Sequence, residues 1–206
     1  MLGGFFCPQC NQSKLPIQKG FQRMPNGPLQ YVFILLAIPV TTLLLSSVIQ
    51  YLFKPRVYYK RHAKRAYRRI RRASTNEAAL LIMNQLSPYS FEELVVLAFR
   101  RADNISKAKS SGYSRDGGFD GYARTKGGDW LGIQSKKYKG YINRGHVLQH
   151  SKLCRRSNRK PVFVYTGKAS TDTLLEARRL KVTMVDSLSV IELIKSKSTH
   201  SLNHLS

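Results

Sequence analysis

The chain has 206 residues, with 35 Lys and Arg against 11 Asp and Glu, a formal net charge of +24. That excess calls for polyanionic surroundings, either a phosphate backbone or anionic headgroups. Three cysteines, with no second pair or nearby histidine to complete Cys7 and Cys10, exclude a self-contained four-ligand zinc site, and no internal repeat is visible.

Residues 1–28 form a short tail containing Cys7-Pro-Gln-Cys10. A half-site shared between two chains, a local disulfide, a redox pair and a silent tail all stay open for it. Residues 29–53 carry no charge. As a helix they would reach roughly 37 Å, enough to cross about 30 Å of hydrocarbon with some tilt. Tyr31, Tyr51 and Phe53 suit the interfacial belt, and Pro39 is tolerated within a membrane. A single-pass transmembrane helix is therefore expected over 29–53.

Lys54 to Arg72 hold ten Lys and Arg, whereas only Lys14, Lys19 and Arg23 precede the apolar run. The positive-inside rule then places the N-terminus outside and the larger C-terminal part in the cytoplasm, at the cell inner membrane. Residues 54–86 read as a basic juxtamembrane linker. Its charges fit lipid headgroups, and with Tyr58, Tyr59 and Tyr67 interleaved they fit a phosphate backbone too.

Residues 87–197 have the pattern of one α/β domain. The spacing predicts a helix over 91–102, with Ser90 and Glu93 as a capping box and Phe91, Leu94, Val95, Ala98 and Phe99 as its apolar face. Glu92 borders that face and can lean over a sheet edge, while Glu93 reads as a cap. A weak strand near 105–109 is followed by a Gly-rich turn, Asp116-Gly-Gly-Phe-Asp120. Strands over 119–123 and 130–138 flank the hairpin loop Arg124-Thr-Lys-Gly-Gly-Asp129. A helix over 145–157 leads to strand 161–166. Helix 171–180, strand 182–186 and helix 189–195 close the domain, the last opening on a Ser189–Glu192 capping box. Residues 198–206 read as a frayed tail.

Strand alternation sends Gln134 and Lys136 to the same face. Pairing their strand with 119–123 brings Asp120, Gln134 and Lys136 to one polar spot. Carboxylate and carbonyl oxygens suit a hard cation such as Mg²⁺, and a neighbouring lysine can orient or deprotonate a water. That chemistry suits phosphodiester hydrolysis. Asp116 is a secondary candidate, with local turn formation as its alternative. Arg155, Arg156, Arg159 and Lys160 form a basic cluster able to contact phosphates.

Phe91-Glu92, Asp116-Gly-Gly-Phe-Asp120, Gln134-Ser-Lys136, Pro161-Val-Phe-Val-Tyr-Thr166 and Val182-Thr-Met-Val-Asp186 occur in this order. The stretch Ser87–Lys195 thereby resembles the Mrr-type restriction endonuclease domain of the PD-(D/E)xK superfamily, over roughly half of the chain. The resemblance implies an αβββαβ core with an additional C-terminal helix, strand and helix. It also implies Asp120 as main metal ligand, Gln134 as second ligand, Lys136 as catalytic lysine and Glu92 as a supporting carboxylate. Mg²⁺, with Mn²⁺ able to substitute, is the expected cofactor and DNA the expected partner; no small-molecule substrate is expected, and a homodimer stays open. The alternative is a catalytically silent module that tethers DNA to the membrane.

Overall fold

The computed structural model describes residues 39–49, 55–112 and 118–198. The chain divides into two units, Met1–Val48 and Ile49–Ser206. In the first, the described residues 39–48 belong to a helical stretch that runs to residue 49 (α1), along which Val40, Leu43, Leu44 and Leu45 are exposed. Cys7, Cys10, most of the expected span and the tail beyond residue 198 lie outside the described residues. Among the described residues no helix is long and apolar enough to cross a membrane.

The second unit contains α2 (Pro55–Arg72), α3 (Asn76–Asn84), α4 (Pro88–Arg100), β1 (Ile105–Ser110), β2 (Gly121–Thr125) and β3 (Trp130–Lys136). It continues with α5 (Arg144–Arg156), β4 (Lys160–Tyr165), α6 (Thr171–Arg179), β5 (Thr183–Val185) and α7 (Ser187–Ser196). One sheet runs β1-β2-β3-β4-β5. The first three strands pair antiparallel, while β4 joins β3, and β5 joins β4, in parallel.

Side-chain alternation sorts the core into two layers. Leu131, Ile133, Val162 and Val164 pack with α2, α3, α4 and α7 on one face of the sheet. Phe163 and Tyr165 pack with Val147 of α5 and Ala177 of α6 on the other. Two glycines let helices come close to the strands that carry the polar spot. A Cβ at Gly121 would meet Val96 of α4 at 2.5 Å, and one at Gly132 would meet Cys154 of α5 at 2.7 Å.

Residues 54–86, expected as a linker, instead form two helices of the domain. In α2 the buried residues Ala63, Ala66, Tyr67 and Ile70 fall at i, i+3, i+4 and i+7, so this basic segment is also amphipathic. That face packs into the core beside α4, and Ala79 and Met83 of α3 join it. The basic residues that dominate the composition hide this stripe.

Covering α4 changes its caps and its glutamates. The helix starts at Pro88, and its N-cap is Ser87 rather than Ser90; the Ser87 hydroxyl accepts the Ser90 N–H at 3.2 Å. Proline at the first helical position, where the missing N–H costs nothing, fixes the earlier start. Glu93 is no cap. It is 5 % exposed, accepts the Ser110 hydroxyl at 2.8 Å and lies 3.9 Å from the Arg56 guanidinium of α2. Helix α7 likewise opens on Asp186, whose carboxylate accepts the Ser189 N–H at 2.8 Å, not on the expected Ser189–Glu192 box. An ionised carboxylate is a stronger acceptor for the helix N-terminus than a hydroxyl, which explains the shift.

Candidate active site

Asp120 immediately precedes β2. Its main-chain N–H donates to Ile133 O at 2.9 Å, and its carbonyl accepts the Ser111 N–H at 2.9 Å. Its backbone is therefore held from both sides. Its carboxylate accepts the Ser135 N–H at 2.5 Å, which fixes the side chain against β3. Burial pushes the Asp120 carboxyl up to about 6, against the opposing pull of the Ser135 N–H and the Lys136 charge.

Gln134 lies mid-way along β3. Its Nε2 donates to Gly118 O at 3.0 Å, which commits the amino end of the amide to the turn before β2. The other end, Oε1, is buried and has no hydrogen-bond partner among the described residues. Such an orphan oxygen costs roughly 1–3 kcal/mol if nothing meets it. Glu92 reaches the same place from the first turns of α4. Burial, and then the negative charge of Asp120, push its carboxyl up to about 7, while Lys136 pulls it down. The half-buried Lys136 thus influences both carboxylates.

Asp120, Glu92, Gln134 and Lys136 are accordingly brought together, as the sequence implies. Asp116 lies outside the described residues. Arg155, Arg159 and Lys160 instead line a pocket with Asp129 and Trp130, and Arg156 is exposed on the last turn of α5. Lys160 pairs with Leu131 and Tyr165 with Lys136, so Lys160 sits five residues away along the sheet, about 16 Å. There Lys160 forms a 2.8 Å ion pair with Asp129, and the Arg159 guanidinium lies 4.5 Å from the Tyr122 ring centroid.

Several supporting residues escape a reading of the sequence. Lys137 Nζ donates to Asn84 O at 2.9 Å and Leu86 O at 2.6 Å, tying the end of α3 to the residue after Lys136. The Thr166 hydroxyl donates to Tyr138 O at 2.9 Å and accepts the Tyr138 N–H at 2.8 Å. The Thr ending the fourth strand is visible in the sequence; its partner is not. Beyond the ends of β3, β4 and β5 opens a cleft of about 780 Å³, lined in part by Lys137, Tyr138, Lys139 and Thr166. None of Glu92, Asp120, Gln134 and Lys136 lines this cleft, which adjoins the site only through Lys137.

The donor set fits a divalent cation. Two half-buried carboxylates, one raised further by the other's charge, and an unpartnered amide oxygen offer the kind of oxygen donors that Mg²⁺ prefers. No group of three or more His, Cys, Asp or Glu occurs among the described residues, so the amide would be needed as third donor.

The family model for the restriction endonuclease catalytic domain, Mrr_cat, matches residues 83–194, more than half of the chain. The chain belongs to this restriction endonuclease family. Among solved structures, the DNA modification-dependent restriction endonuclease AspBHI is similar at 18 % identity and a TM-score of 0.41. That similarity covers 69 % of this chain and 38 % of that one, so the chain spans well under half of its length. No curated protein matches the chain. The family supports a nuclease reading of the domain and implies DNA binding.

Proposed function

We propose that the protein is a membrane-anchored, Mg²⁺-dependent DNA endonuclease that hydrolyses phosphodiester bonds in defence against foreign or modified DNA. The observation that carries this reading is Gln134 Oε1, buried without a partner beside two carboxylates whose protonation is favoured by burial. A site built only to bind DNA gains nothing from an orphan oxygen and acidic groups facing phosphates. A cation there offsets all three penalties.

Asp120 and Gln134 would hold the cation, with Glu92 closing its shell from α4. A divalent cation in that position supplies Lewis-acid stabilisation of the phosphate and acidifies water. The chain's own groups do the rest. Lys136 orients the attacking water and stabilises charge that develops on the phosphate. The Ser135 N–H keeps one Asp120 oxygen fixed, and the Gly118 carbonyl keeps the Gln134 amide from turning its nitrogen to the site.

Membrane attachment rests on the uncharged run over 29–53 and the basic excess after it. The nuclease domain then lies on the cytoplasmic side of the cell inner membrane. A reporter fused after Ser206 is expected to be active only in the cytoplasm; activity on the other side overturns the orientation.

The test of the activity is cleavage of plasmid DNA by the full chain with Mg²⁺, compared with Lys136→Ala and with chelator. Nicking or linearisation by the wild type alone supports the reading. Binding without cutting, over unmodified and modified substrates, favours the tethering alternative.

A further inference from the structure

Helix α2 carries a second message once its core-facing stripe is set aside. Arg61, Lys64, Arg65, Arg68, Arg69, Arg71 and Arg72 are all exposed. At 100° per residue they cover one face, centred opposite Ala63, Ala66, Tyr67 and Ile70. No acidic residue occurs before Glu77, so nothing on α2 neutralises this face.

The helix begins beside the catalytic groups. The Arg56 guanidinium donates to Ser110 O at 3.2 Å and Ser111 O at 3.0 Å. Ser111 in turn donates its N–H to Asp120 O. One helical turn on, the Tyr59 ring lies 5.0 Å from that of Tyr89, which precedes Glu92 by three residues on α4. The first turns of α2 are thus fastened to both segments that deliver carboxylates. From there its 18 residues extend about 27 Å, a distance matching roughly eight base steps of duplex at 3.4 Å each.

We propose that the exposed basic face of α2 is a docking surface for the phosphate backbone of duplex DNA flanking the scissile bond. The proposal rests on the nuclease reading in taking DNA as substrate. Its own support is the dense, unneutralised positive face and the bonded path from Arg56 to Asp120. An anionic lipid surface has similar charge, but nothing in a lipid contact calls for a basic helix fastened to a catalytic aspartate.

The test uses the full chain in detergent micelles and a fluorescent 30-base-pair duplex, with binding read by anisotropy in chelator, so that cutting is irrelevant. The variant is Arg61→Gln, Arg65→Gln, Arg68→Gln and Arg72→Gln combined. Its charge-matched control is Lys126→Gln, Lys152→Gln, Arg178→Gln and Arg179→Gln combined, all exposed and outside α2. The α2 variant is expected to bind at least about tenfold more weakly, with a log Kd against log salt slope lower by about 0.9 for each phosphate that is no longer neutralised. The control should move the slope by less than one phosphate's worth. Replacing the same four arginines by lysine should retain binding, which separates an effect of charge from an effect on the fold.

Equal binding by the α2 variant and the control overturns the proposal. So does unchanged DNA binding accompanied by a failure to bind phosphatidylglycerol vesicles, which assigns the face to the membrane. Failure of the wild type to bind DNA at all would instead remove the nuclease reading itself.

Discussion

The two ends of strand β3 hold similar residue types and treat them in opposite ways. At the Trp130 end, Lys160 and Asp129 meet in a 2.8 Å ion pair in which both side chains are 45 % exposed, and Arg124 and Arg159 lie over aromatic rings. These charges are partnered and reach water. At the Lys136 end, Asp120 and Glu92 are half-buried, Gln134 Oε1 is orphaned, and the charge of one ammonium acts on both carboxylates. Satisfied charge at a surface contributes little and signals little. Charge held out of water with its requirements unmet marks a candidate site for chemistry.

The contrast is sharpest in activity. Asp120→Ala should abolish plasmid cleavage, because a neutral Gln134 and Glu92 alone leave the cation without its main charged ligand. Lys136→Ala should lower the cleavage rate by about 10²-fold or more, in line with loss of one charge-stabilising donor. Both variants should bind the duplex within a few-fold of wild type, since one site among 35 basic residues adds little to overall attraction. Wild-type rates from either variant would erase the difference between the two ends.

Stability against pH is the next measure. Asp120 and Glu92 have folded-state pKa values raised, to about 6 and about 7. Protonation thus favours the metal-free fold: their stabilising effect is full below about pH 4 and is lost as pH rises through 6 and 7. Thermal melts in chelator, compared with Asp120→Asn and Glu92→Gln, should show wild type losing ground relative to the variants between pH 5 and 8. Mg²⁺ should recover that loss at pH 8, and bind more weakly as pH falls below 6. A variant difference independent of pH would mean that these carboxylates are not penalised by burial.

Smaller still is the effect of Glu93, the acidic neighbour with a structural role. Glu93→Ala leaves the Ser110 hydroxyl without its buried acceptor, removes the carboxylate 3.9 Å from the Arg56 guanidinium and should cost about 2 kcal/mol. Denaturant melts would read this, and cleavage at permissive temperature should persist. Smallest is the far end of β3. Lys160→Ala or Asp129→Ala should change stability by less than about 1 kcal/mol, as for other exposed pairs, and leave the cleavage rate unchanged within about twofold.

The element order of residues 87–197 is legible in the sequence because each element announces itself by period or by a turn residue. Strands 105–110, 130–136 and 160–165 and the three helices after residue 143 lie within a few residues of expectation. Alternation puts Gln134 and Lys136 on one face, hairpin pairing adds Asp120 and helix angle adds Glu92, while the roles given to them come from the family resemblance. What the sequence conceals is tertiary. Glu93 reads as a cap because nothing in the linear pattern marks α2 as a layer over α4. Tyr67 and Ile70 look like interruptions in a basic run, although their four-residue rhythm with Ala63 and Ala66 is that of a packed helix. The basic cluster near Arg155 has no position in the linear pattern, which does not tell the two ends of a parallel strand pair apart. The role of Lys137, a clamp on two carbonyls before α4, depends on a 51-residue separation that periodicity cannot reach.

The burial of α2 also decides how the domain can be isolated. A truncated chain beginning at Ala73 keeps every catalytic candidate and looks complete by motif. It would strip Tyr67 and Ile70, 2 % and 0 % exposed, from the apolar layer over α4, together with the Arg56 contact to Glu93. Deleting two such side chains costs roughly 5 kcal/mol or more, a large share of the stability of an ordinary domain. An inactive fragment of that kind would therefore report on a broken core rather than on the nuclease, and a soluble fragment has to begin upstream of Pro55.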